Sequence, residues 1–122
     1  MMLIALAGGL GALLRFLVDG WVNARARAWV PRLGAPLGTV LINVTGSLLL
    51  GLAVGWLIGA GDDTWALPIG TGLLGGYTTF STASVEAARL ILAGRGLLAT
   101  LHAGGILLAS VGAAALGLWL AS

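Results

Sequence analysis

Gly75-Gly76-Tyr77-Thr78-Thr79-Phe80-Ser81-Thr82-Ala83-Ser84 lies in the middle of an apolar segment that runs from Trp65 to Leu92. Two adjacent glycines followed by a β-branched pair make a poor helix sequence. Glycine gives up the most backbone freedom, and threonine loses rotamers against the preceding turn. The stretch is also rich in hydroxyls, at Tyr77, Thr78, Thr79, Ser81, Thr82 and Ser84. A span that only had to sit in lipid needs neither feature. Freed backbone groups at membrane depth persist only where protein, a bound ion or a water-filled path satisfies them. The stretch therefore predicts a helix broken at mid-membrane, at the centre of an ion pathway.

Composition supports the membrane setting. The chain has 122 residues, 59% of them hydrophobic and only 8% charged, with a mean hydropathy of +1.07. A soluble domain of this size carries about a quarter charged residues to cover its surface. The charges are also clumped, with none between Leu33 and Gly61, between Thr64 and Val85, or between Gly96 and Ser122. Each window is long enough to cross a hydrocarbon core about 30 Å thick at about 1.5 Å per residue. An all-α integral membrane protein follows. The absence of cysteine excludes disulfides and thiolate metal sites. The net charge of +2 comes from arginines without a basic face, so no nucleic-acid partner is expected. The start, Met1-Met2-Leu3-Ile4, lacks the positive leader of a cleaved signal peptide. One chain this small encloses little of a pore, so an oligomer is expected.

The expected organisation is a single domain over residues 1–122 with four transmembrane helices, at about 2–22, 37–58, 65–92 and 97–120. In the first, Gly8-Gly9-Leu10-Gly11-Ala12 has the look of a nucleotide-binding glycine loop, but no strand precedes it, and close helix packing is the better reading. Arg15 and Asp19 follow at i,i+4, able to pair. They form either a snorkelling pair at the membrane edge or, through Arg15, a positive potential at a pore entrance. Residues 23–36 read as an aqueous loop with Arg25, Arg27 and Arg32. In the second helix, Thr39, Asn43, Ser47, Gly51, Gly55 and Gly59 recur every four residues. The glycine half is a packing seam. The other half is a polar face, on which the Asn43 amide must find partners, whether across helices or along a path. Asn43-Val44-Thr45 matches a glycosylation sequon that membrane burial rules out. Glu86 and Arg89, at i,i+3, read as a solvated ion pair. His102, Ile106 and Ser110 share one face of the last helix, where a lone histidine either packs or lines the pathway. The arginine loops lie opposite Asp62 and Asp63, which places those loops in the cytoplasm and both termini outside.

Three blocks together, Gly8-Gly9-x-Gly11-Ala12-x-x-Arg15-Phe16, Asn43-x-x-Gly46-Ser47-x-x-x-Gly51 and Gly75-Gly76-Tyr77-Thr78-Thr79-Phe80-Ser81-Thr82, resemble the signature blocks of the Fluc (CrcB) fluoride channels. The resemblance covers the chain in order. It implies a passive channel in a bacterial cytoplasmic (inner) membrane that exports fluoride to limit its toxicity. It also implies an antiparallel, dual-topology dimer with two pores, formed by two copies of this chain or by this chain and a second, oppositely oriented one. A central sodium ion would rest on the backbone carbonyls of Gly75 and Thr78. Asn43 would line the pore beside Phe80, Ser81 and Thr82 would add a hydroxyl track, and Arg15 would stand at a vestibule. Thr39 and Ser110 join the pore residues on their polar faces, with His102. The sequence departs from the family at Ala83, where a second phenylalanine is usual, at His102 for a tyrosine, and at Ile106 for a serine.

A small dual-topology multidrug exporter is the competing reading. It needs a carboxylate deep in the membrane, and Asp19, Asp62, Asp63 and Glu86 all read as near helix ends. A scaffold role would explain the glycine seams but not hydroxyls around a break. No nucleophile–base pair or metal cluster supports an enzyme.

Overall fold

The computed structural model describes residues 1–29, 36–61 and 64–121, and every regular element among them is helical. Arg32, Asp62 and Asp63, to which the sequence assigned the sidedness of the loops, lie outside these residues.

Helix α1 spans Met2–Trp29 and so continues well past Val22, the end its hydropathy suggested. Asn23-Ala24-Arg25-Ala26-Arg27-Ala28 contains no glycine or proline, and alanine and arginine are among the best helix formers. Falling hydropathy there ends the apolar span without ending the helix. Arg25 and Arg27 are thus helical rather than loop residues. The Arg25 guanidinium stacks 4.4 Å from the Trp21 ring centroid, and Arg27 Nε donates to the Asn23 carbonyl.

Helix α2 spans Leu37–Ala60, and Pro36 before it supplies no side-chain cap. Asn23 does that work from α1. Its Oδ1 accepts from the Gly38 amide at 3.0 Å, while its Nδ2 donates to Asp19 Oδ1 at 2.8 Å. The helix closes at Gly61, whose left-handed φ of 65° lets its amide fold back onto the Leu57 and Ile58 carbonyls.

The next stretch differs from a single helix. Residues Leu67–Leu74 wind in wide turns, so that the Gly75 amide reaches the Gly70 carbonyl five residues back. One ordinary turn follows, α3 (Gly75–Tyr77). Thr78 (ψ 159°) and Thr79 (φ −151°, ψ 120°) then leave the helix. Helix α4 restarts at Phe80 and runs to Leu92. A turn through Gly94, at φ 73°, leads into α5, Gly96–Ala121. The break is where the hydroxyl-rich stretch put it. Helices α1, α2 and α5 are uninterrupted and each is long and apolar enough to cross a membrane.

Two seams hold the elements. Helices α2 and α5 make the most extensive pairing. A side chain at Gly51 would run into the Ala114 carbonyl, and one at Gly117 into the Leu48 carbonyl. Helix α1 lies against the broken segment in the same way, with Gly11 on the backbone of Leu73 and Tyr77 and Gly76 on the Gly8 carbonyl. Gly8 and Gly11, though not Gly9, therefore lie on a packing surface. Outward, Leu6, Leu13, Leu17, Leu101, Leu108 and Leu120 are exposed, as lipid-facing side chains are. Inward, the buried set mixes Ile42, Leu57 and Leu90 with the polar Thr39, Asn43 and His102.

Candidate functional site

The break is held by one side chain. Asn43, on α2, accepts from the Thr79 amide through Oδ1 at 3.0 Å. Its Nδ2 donates to the Thr79 carbonyl at 3.1 Å and to the Thr39 carbonyl at 2.9 Å. The amide thus pairs with both backbone groups of an extended residue, as a neighbouring strand would. The carboxamide is one of the few side chains with a donor and an acceptor placed for this.

The diversion has a consequence for the carbonyls. In an unbroken helix the Thr79 amide would bond to Gly75 C=O, and here it goes to Asn43. The Thr82 amide, due at Thr78 C=O, goes to Thr79 Oγ1 at 3.2 Å, capping α4. Gly75 and Thr78 thus lose helical donors, as do Gly76 and Tyr77, whose i+4 amides, Phe80 and Ser81, lie beyond the break. Between them, Gly76 C=O accepts from Arg15 Nε at 3.3 Å. Arg15 does not pair with Asp19. Each has another partner, Gly76 for one and Asn23 for the other.

The hydroxyls separate into two groups. Thr78 Oγ1 and Ser84 Oγ donate to the Leu74 and Phe80 carbonyls, one turn back on their own helices. Thr79 Oγ1 instead meets Thr82 Oγ1 at 3.0 Å and Ser81 Oγ at 3.3 Å, a local cluster at the start of α4.

Two cavities among the described residues reach the break, both lined in part by Thr79. The smaller, about 120 Å³, is lined by Arg15, Asp19, Thr39, Thr79 and Thr82 among others. The larger is an open groove of about 720 Å³, lined mostly by apolar residues with Asn43, Ser47, Phe80 and Ser110 at its polar points. Ala83 and Ile106 also line it. Ser110 Oγ is buried with no hydrogen-bond partner among the described residues. Phe80 is 87% exposed, so one face of its ring has no protein against it within a single chain.

Glu86 corrects a sequence expectation. It does not form a solvated pair with Arg89. Thr39 Oγ1 donates to its Oε1 at 2.7 Å, and its Oε2 lies 3.1 Å from His102 Nε2. The side chains of His102 and Glu86 are 3% and 15% exposed. The cluster ties α2, α4 and α5 together, and of its three residues only Thr39 lines a cavity. Thr39 faces the smaller one. Ala83 and Ala87, either side of Glu86, and Ile106, one turn after His102, line the groove. Sequence spacing could not find it, because the partners of Glu86 are 16 and 47 residues away.

Comparison with known proteins gives consistent results. A family model described as CrcB-like protein, Camphor Resistance (CrcB), matches residues 2–120. A protein of Leifsonia xyli subsp. xyli named fluoride-specific ion channel FluC 1 is 48% identical over 118 residues, covering 96% of this chain and 82% of its own. Another, fluoride-specific ion channel FluC 2 of Cutibacterium acnes, is 48% identical over 124 residues, covering 100% of this chain and 97% of the relative. The fluoride-specific ion channel FluC of Novosphingobium aromaticivorans is 44% identical over 116 residues, or 94% of this chain and 90% of the relative.

Proposed function

The chain belongs to the CrcB-like family, and on that premise we propose that it is a fluoride-specific channel through which the ion leaves the cytoplasm passively. It is a multi-pass membrane transporter and not an enzyme. The observation that carries the reading is the helix break clamped by Asn43, with two cavities reaching it.

Fluoride is small and strongly hydrated, so a narrow path must replace its water with hydrogen-bond donors. Arg15 beside the smaller cavity attracts anions to a vestibule. Thr82 and Ser81 offer hydroxyls near the restart of α4, Thr39 lines the smaller cavity with its own proton given to Glu86, and Ser110 offers a buried hydroxyl without a partner among the described residues. Asn43 borders the groove while holding the break. Phe80 presents a ring whose edge carries partial positive charge. His102 shares a face of α5 with Ser110 and acts through Glu86.

The four-crossing count follows if residues 65–92 cross in pieces beside α1, α2 and α5. The exposed Phe80 and the open groove fit a second, antiparallel copy as partner, with lipid around the pair. The carbonyls of Gly75 and Thr78 would hold a sodium ion at the centre of that dimer. Their donor chemistry fits, since a hard cation takes oxygen ligands and these two have lost helical donors. When bound, the ion would fix the two breaks against each other. A cytoplasmic (inner) membrane of a bacterium is the setting this reading gives. The competing exporter gains nothing from the relatives. Its exclusion rests on family membership, because Glu86 is not the solvated end-of-helix residue it was taken for.

The test is fluoride efflux from liposomes containing only this purified chain, with chloride as comparison and Phe80→Ile as control. Rapid fluoride-selective efflux that the variant loses is expected. Undiminished efflux in Phe80→Ile would remove that ring from the pore.

A further inference from the structure

We infer that Glu86 and His102, linked to the smaller cavity through Thr39, form a proton-binding site, and that its protonation sets how readily fluoride passes. The inference rests on the channel reading above. The two side chains meet at 3.1 Å in a nearly dry setting, on two different helices. At this separation one proton can lie on either side chain. With one proton shared between them the pair is neutral, whichever atom carries it. With that proton gone the pair carries one negative charge, held by the Thr39 hydroxyl beside the smaller cavity. An uncompensated charge in a low-dielectric wall acts strongly on an anion passing it. Histidine is the side chain whose charge changes across physiological pH.

The other charged or titratable groups do not supply this switch. Helix α1 faces Thr39 with Arg15, which is always protonated, and with Asp19, which Asn23 holds. Helix α2 contributes only neutral groups. Helix α3 brings Tyr77, whose hydroxyl faces Thr45. Helix α4 adds Arg89 and the turn before α5 adds Arg95, both exposed arginines. Helix α5 has no titratable side chain besides His102.

Efflux is measured in liposomes at matched internal and external pH, from about 5.5 to about 8.5, the range in which an imidazole changes charge. Leak from protein-free vesicles is subtracted. The wild type is expected to run about tenfold faster at the acid end, the order set by one charge beside the path. His102→Gln is expected to be slow and flat, and Glu86→Gln fast and flat with Asp19 left in place. Because the chain has a single histidine, NMR of that one ring gives an independent reading. Its titration should move when Glu86 becomes Gln. A titration that does not move overturns the pair, whatever the flux does. Flux that is present but flat with pH in the wild type removes the control while leaving the channel. No efflux from folded protein at any pH removes both.

Discussion

At the scale of single residues, the functional weight falls on Asn43. Its carboxamide makes three hydrogen bonds, two of them to Thr79. Asn43→Leu keeps the bulk but leaves the Thr79 amide and carbonyl unpaired at membrane depth. Each orphaned backbone group costs about 1–3 kcal/mol. The expected outcome is a drop in the detergent melting temperature together with a loss of fluoride efflux. Asn43→Asp keeps the acceptor for the Thr79 amide and loses both donations, so it should fall between wild type and Asn43→Leu in melting temperature. Equal melting of all three would show that the clamp contributes nothing. The sequence singled out Asn43 as a residue needing partners, because an amide on an apolar helix is costly alone. It could not say that the partner is one backbone residue 36 positions away. Glu86 was misread for the same reason: i,i+3 spacing to Arg89 is visible in the chain, while contacts with Thr39 and His102 exist only after three helices pack.

At the scale of elements, the break was legible, and so was the α2 seam at Gly51 and Gly55, whereas the helix ends were not. Gly59, expected to continue that seam, is exposed with nothing packed against it. Gly75-Gly76 and the threonine pair mark the break because both lower helix propensity at one point. The wide turns of residues 67–74 carry no such mark. They arise between Pro68 and Gly75, where packing against α1 sets the winding. The extension of α1 to Trp29 was hidden because hydropathy locates the bilayer, whereas helix propensity locates the helix. The seams make a graded prediction. A side chain at Gly76 would strike the Gly8 carbonyl and one at Gly117 the Leu48 carbonyl, both fixed backbone. Gly9 has nothing near the same position. Gly76→Ala and Gly117→Ala should each cost about 1–3 kcal/mol through forced separation of the helices. Gly9→Ala should be neutral or slightly stabilising, since alanine is the better helix former. Thermal aggregation followed by size-exclusion chromatography separates the three. Indistinguishable curves would mean that the helices part without penalty.

At the scale of the molecule, the proposed pairing rests on two features of the single chain. Phe80 projects at 87% exposure beside a groove of about 720 Å³, and the proposed sodium ion would need more oxygen ligands than the carbonyls of Gly75 and Thr78 supply. A second copy related by a twofold axis would supply the missing surface and double the oxygen ligands. If that axis lies in the membrane plane, the copies must insert in opposite orientations, although the arginine distribution favours one. Orientation is therefore the sharpest test of the assembly. The chain has no cysteine, so Ala93→Cys places one thiol at the exposed turn after α4. An antiparallel pair of identical chains requires that a membrane-impermeant maleimide label about half of the molecules in sealed cells and all of them after permeabilisation. Labelling of all or none before permeabilisation would fix one orientation for every copy. Two identical chains could not then form the antiparallel pair, and the partner would have to be a different chain inserted the other way. Co-expression with such a chain, followed by the efflux assay, would then be needed to restore conduction.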